Sequence, residues 1–159
     1  LMIDIQLINY GQFWSSYCFG AKPHEYASYH FVIGFDNERD VAFYNFELGT
    51  WQSRSPIPKY SCGASAVCLN EKIVVVGGSE RAWYSYDPCT DVWMQLQSPS
   101  FMHDRGAAVV LNSKIMLCGG GDTNCISEYD AQRNVWVEVQ LKVPCRKPCY
   151  MNCALAFNI

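Results

Sequence analysis

Tyr44, Tyr86 and Tyr129 each stand seven positions before a tryptophan, and those tryptophans, Trp51, Trp93 and Trp136, lie 42 and 43 residues apart. The pairs Leu69-Asn70 and Lys72-Ile73 return 42 residues later as Leu111-Asn112 and Lys114-Ile115. A unit of this size is one supersecondary motif, too small to bury both of its faces alone. Copies must stack on one another, so the repeat fixes the architecture before any local assignment is made.

The most complete copy contains KIVVVGGSERAWYSYDPCTDVW, from Lys72 to Trp93. Ala64 to Leu69 reads as its first strand and Asn70-Glu71 as a hairpin turn. Ile73 to Val76, apolar at every position as in a strand covered on both faces, is the second strand. Trp83 to Tyr86 is the third and Val92 to Leu96 the fourth. The next copy, Lys114 to Trp136, reads KIMLCGGGDTNCISEYDAQRNVW and follows the same order. From Tyr29 a partial copy runs through HFVIGFD, NERD, VAFYNF and LGTW, with Gly34-Phe35 where later copies carry a glycine pair. The expected organisation is a lead-in over 1–28, a partial unit over 29–58, complete units over 59–100 and 101–145, and the first strand of another unit over 146–159. Within the lead-in, Ile3 to Leu7 alternates as a strand does, and Tyr10 to Trp14 echoes the Tyr-to-Trp segment at a shorter spacing. No segment sustains a helical period. Four-stranded antiparallel units of this length point to an all-β chain, a partial β-propeller.

Composition excludes several classes. A net charge of −3 and a pI near 5.5 argue against a broad nucleic-acid or anionic-membrane surface. No apolar run reaches the roughly 18 residues of a membrane span. Leu1 to Tyr10 has neither a basic opening nor a cleavage site, so it does not read as a signal peptide, and both ends read as interior points of a longer chain. The 9 cysteines include no Cys-x-x-Cys pair. Pro144 and Pro148 break any helix that would align Cys145, Cys149 and Cys153 on a metal, so reduced thiols in a cytoplasmic or nuclear setting are expected. His24, His30 and His103 lack ligand partners at a metal spacing. Gly119-Gly120-Gly121 leads into a strand, where no helix N-terminus waits for a phosphate. No catalytic residue, metal or cofactor is expected, and the chain does not read as an enzyme.

At this point the residues resemble the Kelch repeat. The marks are Gly77-Gly78 and Gly119-Gly120 after the second strand, Tyr86-Asp87-Pro88 and Tyr129-Asp130 at the third, Trp93 and Trp136 at the fourth, and Arg105 before the next first strand. They cover residues 29–159. The WD repeat has a similar length, but its closing Trp-Asp is absent: Trp93 precedes Met94 and Trp136 precedes Val137. Gly63 occupies the position matching Arg105, and Met151 does so in the last copy. The physical reading of the marks is structural, with glycines for sharp turns and close approach and aromatics for packing between sheets.

The resemblance implies about three blades of a propeller that in this family commonly has six, and a ligand face lined by the loop after each glycine pair and the connector into each first strand. Carried over by position, those residues are Ser79, Glu80 and Arg81; Asp122, Thr123 and Asn124; Tyr60 and Ser61; and Asp104, Arg105 and Tyr150. Arg81 and Arg105 offer planar, bidentate pairing to a carboxylate or a peptide backbone. The resemblance further implies a protein-interaction module, most like the substrate-recognition Kelch domain of BTB-Kelch adaptors of cullin-based ubiquitin ligases. The partner would be a protein or peptide motif on the loop face, and a cullin would be reached only through a BTB region outside this chain. The alternative is an actin-binding or other cytoskeletal scaffold, with a cytoskeleton-associated location. A Kelch-scaffold oxidase ranks third, since the copper ligand set of such enzymes is not displayed. An arc of blades would also leave apolar faces and strand edges uncovered, which predicts self-association.

Overall fold

The computed structural model describes residues 8–10, 13–18, 29–33, 39–45, 47–59, 62–80 and 82–144. The described residues form three antiparallel sheets. The first runs β1 (Ile8–Tyr10), β2 (Phe13–Cys18), β3 (Tyr29–Ile33), β4 (Val41–Asn45) and β5 (Thr50–Arg54) in that order. The second holds β6 (Ala64–Leu69), β7 (Lys72–Gly77), β8 (Ala82–Asp87) and β9 (Val92–Gln95). The third holds β10 (Ala107–Leu111), β11 (Lys114–Cys118), β12 (Cys125–Asp130) and β13 (Val135–Lys142). The strands of the second sheet fall where the pattern puts them. The first sheet reaches further back than the repeat marks, since β2 pairs with β3 from Trp14↔Ile33 to Cys18↔Tyr29. The Tyr10-to-Trp14 echo falls in the β1–β2 hairpin. Residues 3–7, Gly34-Phe35 and residues 145–159, with Cys145, Cys149 and Cys153, lie outside the described residues.

Local chemistry explains the turns. Leu69 pairs with Lys72 and Leu111 with Lys114, which leaves two-residue loops at Asn70-Glu71 and Asn112-Ser113. All four residues have positive φ, between 51° and 63°. That is the mirror-image turn whose twist matches the flanking strands, and asparagine is favoured at its first position. The longer loop between third and fourth strands is set by a side chain. Asp87 Oδ1 accepts the amides of Cys89 and Thr90 at 2.9 and 3.3 Å, and Asp130 Oδ1 those of Gln132 and Arg133 at 2.9 and 3.2 Å. Asn45 does the same for Glu47 and Leu48. Each loop then closes through a left-handed residue, Gly49, Asp91 or Asn134.

Alternation along the strands gives the sheets two apolar faces. Ala64, Ala66, Ile73, Val75, Tyr84 and Tyr86 of the second sheet pack with Val41 and Phe43 of the first and with Ile57. Val67, Leu69, Val74, Val76 and Trp83 leave from its other face and meet Ala108, Ile115, Leu117 and Tyr129 of the third. The innermost strands also neighbour one another, β6 lying against both β2 and β10. Rings cross the two interfaces edge to face, Phe43 on Tyr86 at 5.7 Å and Trp83 on Trp136 at 5.0 Å. Such offset contacts add about 0.5–1.5 kcal/mol to simple burial.

The Tyr-to-Trp spacing is explained by a polar clamp between sheets. Trp93 Nε1 donates to the Ser55 carbonyl at 2.8 Å, while the Ser55 amide donates to Asp91 Oδ1 at 2.9 Å. Both backbone groups of one residue, just past the outer strand of the first sheet, are thus held by the second. The next interface repeats this. Trp136 Nε1 donates to the Gln97 carbonyl at 2.8 Å, and the Gln97 amide reaches Asn134 Oδ1 at 3.5 Å. The repeat tyrosine aims the acceptor: Tyr86 Oη donates to Asp91 Oδ1 at 2.5 Å and Tyr129 Oη to Asn134 Oδ1 at 2.8 Å. The Tyr86 hydroxyl, first, and the Ser55 amide hold the Asp91 carboxyl below its ordinary value of 3.8 against the opposing effect of burial. Burial, and then the bond to Asp91, pushes the Tyr86 hydroxyl well above the usual phenol range.

Two outcomes are expected. Trp93→Phe keeps a ring but loses the donor to Ser55, which is expected to cost about 1 kcal/mol in a chemical denaturation titration. Asp91→Asn places at this site the residue the next repeat uses, so the chain is expected to remain folded. Because the Asp91 carboxyl is depressed in the folded state, its contribution is present above 3.8 and lost as pH falls below it. Stability curves of the wild type and Asp91→Asn are therefore expected to converge in acid; a gap that stays constant with pH would assign no titrating role to Asp91.

Candidate partner-binding face

The connectors and the loops after the glycine pairs meet at one end of the second and third sheets, where backbone hydrogen bonds lace them together. The Ser79 amide donates to the Cys62 carbonyl at 2.9 Å and the Arg105 amide to the Gly63 carbonyl at 3.0 Å. The Gly121 amide donates to the Asp104 carbonyl at 2.7 Å, and the Gly78 amide reaches the His103 carbonyl at 3.5 Å. Beneath them the buried Ser65 hydroxyl donates to the Gly106 carbonyl at 2.8 Å. Segments 62–63, 78–80, 101–106 and 119–124 therefore form one surface rather than four separate loops.

Two glycines make this lacing possible. Gly120 has φ +128°, and a Cβ there would lie 2.9 Å from the Asp104 carbonyl oxygen and from His103 backbone atoms. The second glycine of the pair thus lets the connector run directly across it. Gly63 has φ +79°, and a Cβ would meet Arg105 Cγ and Asp104 Oδ1 at 2.6 Å. The absence of an arginine at the position matching Arg105 has a steric cause, because the neighbouring repeat's arginine lies over it.

The residues singled out in the sequence divide into several groups. Ser79, Glu80 and Arg105 are exposed on the surface, with Glu80 paired to Lys59 at 3.1 Å and both side chains more than half in solvent, a contact that contributes little to stability. Asp104 is half-buried beside Arg105. Asp122 is exposed, yet its carboxylate oxygens accept the Met102 amide at 2.9 Å and the Asp104 amide at 3.2 Å, so it braces the connector. Thr123 is buried and its hydroxyl accepts the Cys125 amide at 3.0 Å, so its side chain is not presented at this surface. Asn124 is half-buried, and its carbonyl takes the Val143 amide at 2.8 Å. Tyr60, Ser61, Arg81 and Tyr150 lie outside the described residues.

His103, weighed in the sequence only as a metal ligand, is fully buried at the centre of the 101–106 connector. Its ring nitrogens lie 2.7 Å from the Gly119 carbonyl and 2.8 Å from the Ser127 hydroxyl. Burial lowers it from its ordinary value of 6.5, with the Gly119 hydrogen bond and the Asp122 charge opposing. One repeat earlier the position holds Ser61, so no periodic mark pointed to it. Among the described residues no group of three or more His, Cys, Asp or Glu is placed to hold a metal, and no helix is long and apolar enough to cross a membrane.

No protein-family profile matches the chain. It is 41% identical over 58 residues to Kelch-like protein 24 of Rattus norvegicus and equally to that of Mus musculus, an alignment covering 36% of this chain and 10% of theirs. It is 30% identical over 87 residues to Kelch-like protein 30 of Homo sapiens, covering 50% of this chain and 15% of that protein. The chain thus matches only a small part of the length of these relatives. The doubled glycines, the clamped Tyr and Trp marks, the antiparallel sheets that carry them and the partial similarity to Kelch-like proteins together fit a Kelch-repeat fragment, its all-β sheets consistent with partial propeller blades.

Proposed function

We propose that the surface carrying Ser79, Glu80, Asp104 and Arg105 binds a protein or peptide, and that the chain is the substrate-recognition part of an adaptor for a cullin-based ubiquitin ligase. The observation that carries the binding reading is the lacing of four loop segments into one braced surface. A partner meeting it pays little to order the loops, and preorganisation of this kind is where affinity is gained. Arg105 supplies a planar fork of donors suited to a carboxylate or a run of peptide carbonyls. The adaptor reading is supported by the similarity to Kelch-like proteins, with the cullin contact assigned to a BTB region outside these residues. Cys62, Cys68, Cys89, Cys118 and Cys125 are free thiols, which supports a reducing compartment such as the cytoplasm.

A displayed random-peptide library selected on the folded chain tests the binding surface. Arg105→Ala is expected to weaken selected peptides by about tenfold or more, the worth of a charge-assisted hydrogen bond. Val137→Ser, on the outer strand β13, is expected to leave them unchanged. Peptides indifferent to Arg105→Ala, Ser79→Ala and Glu80→Ala alike would show that binding, if any, lies elsewhere. Co-purification of the parent protein with a cullin tests the adaptor role separately.

A further inference from the structure

The connector between the second and third sheets contains a buried titratable side chain that the binding surface does not itself present. His103 lies two residues before the exposed Arg105 and has no solvent contact. Both residues sit in the left-handed backbone region, at φ 52° and 53°. That region is uncommon for residues other than glycine and persists where the surroundings over-determine it.

The surroundings here do so from three sides. The Gly119 carbonyl, 2.7 Å from Nδ1, can only accept, so Nδ1 carries the proton and donates. In the neutral ring Nε2 is then an acceptor, served at 2.8 Å by the Ser127 hydroxyl. The His103 carbonyl accepts the Gly106 amide at 2.9 Å and faces the Gly78 amide of the preceding sheet at 3.5 Å. The amides on either side of the residue, Met102 and Asp104, end on the two carboxylate oxygens of Asp122. Ring, carbonyl and flanking amides are thus tied to β12, to the loop after the third sheet's glycine pair and to the glycine pair of the second sheet.

We propose that His103 is a positioning residue of the partner-binding face, its neutral imidazole locking the 102–106 strap in the conformation that holds Arg105 out to solvent. The role assigned to the strap rests on the binding-surface reading above; the locking does not. Among the described residues, the charge that acts on the ring is that of Asp122 from the 119–124 loop; Asp104 and Arg105 follow His103 on the strap itself. Ser127, Gly77, Gly78 and Phe101, whose ring meets the imidazole edge to face at 6.2 Å, bring no charge. With the folded-state value depressed, the stabilisation given by the neutral ring is present above 6.5 and is lost as pH falls below it.

Residue-by-residue amide exchange of the full chain tests the proposal. The amides of Arg105, Gly106 and Gly121 report the strap, bonded as they are to the carbonyls of Gly63, His103 and Asp104; those of Ile73 to Val76 in β7 report the sheet. His103→Leu, apolar and without ring nitrogens, is expected to speed strap exchange by about tenfold or more while the β7 amides keep their rates. His103→Asn, whose side-chain amide can replace the Nδ1 donor, is expected to recover part of the protection. It is also expected to abolish the loss of strap protection that the wild type shows between about pH 7.5 and pH 5.5. Ser127→Ala removes only the partner of Nε2 and gives the same readout at smaller size should His103→Leu fail to fold. Strap amides at wild-type rates in both His103→Leu and Ser127→Ala would overturn the proposal. So would strap and β7 amides accelerating together, as for a residue that only fills space. A loosened strap combined with selected peptides indifferent to Arg105 would refute the binding surface and leave the positioning role standing.

Discussion

The two interfaces between sheets share one device, in which an indole N–H and a side-chain oxygen of one sheet take both backbone groups of a single residue leaving the sheet before it. At Ser55 and again at Gln97 the chain has just finished an outer strand, and its carbonyl and amide would otherwise turn to water. Apolar burial brings the faces together but is non-directional. The clamp supplies the direction, because a tryptophan nitrogen and an Asp or Asn oxygen fit one residue only when the sheets are in register. The seven-position step from tyrosine to tryptophan follows from this, since the tyrosine hydroxyl must reach the same oxygen that the clamp uses.

The laced loop surface is a consequence of that register. With the outer strand held at the neighbouring sheet, the connector must return across the loop end to begin the next inner strand, and its path lies over the glycine pairs of both sheets that it joins. Side chains at Gly63 or Gly120 would occupy the volume through which it runs. Of the residues that face solvent there, Ser79, Glu80 and Arg105 sit on a backbone fixed by the side chains of Ser65, His103 and Asp122. A surface of this kind has the rigidity of the sheets and the chemical variety of loops.

Much of this was legible in the sequence, for reasons that particular residues make plain. Asn70 and Asn112 mark hairpins because their turn needs positive φ, and the all-apolar run Ile73 to Val76 marks a strand buried on both faces. The strand β2, Phe-Trp-Ser-Ser-Tyr-Cys, carried none of these marks, and ten residues rather than a two-residue turn join it to β3. It could be found only through its partner. At the surface the sequence named segments that the structure laces together, but it could not divide their residues by role. Whether Asp122 turns to a partner or to the amides of Met102 and Asp104, and whether His103 points outward or inward, depends on how closely the next sheet approaches. That distance is a property of the stack and is written in no single repeat.

The most direct test of the clamp is the exchange rate of the tryptophan indole protons. Trp93 and Trp136 donate across the sheet interfaces, whereas Trp51 is 59% exposed. The indole protons of Trp93 and Trp136 should exchange slowly with solvent and that of Trp51 quickly. Equal, fast exchange at all three would mean that the sheets are not clamped at Ser55 and Gln97, and the register that builds the loop face would lose its cause.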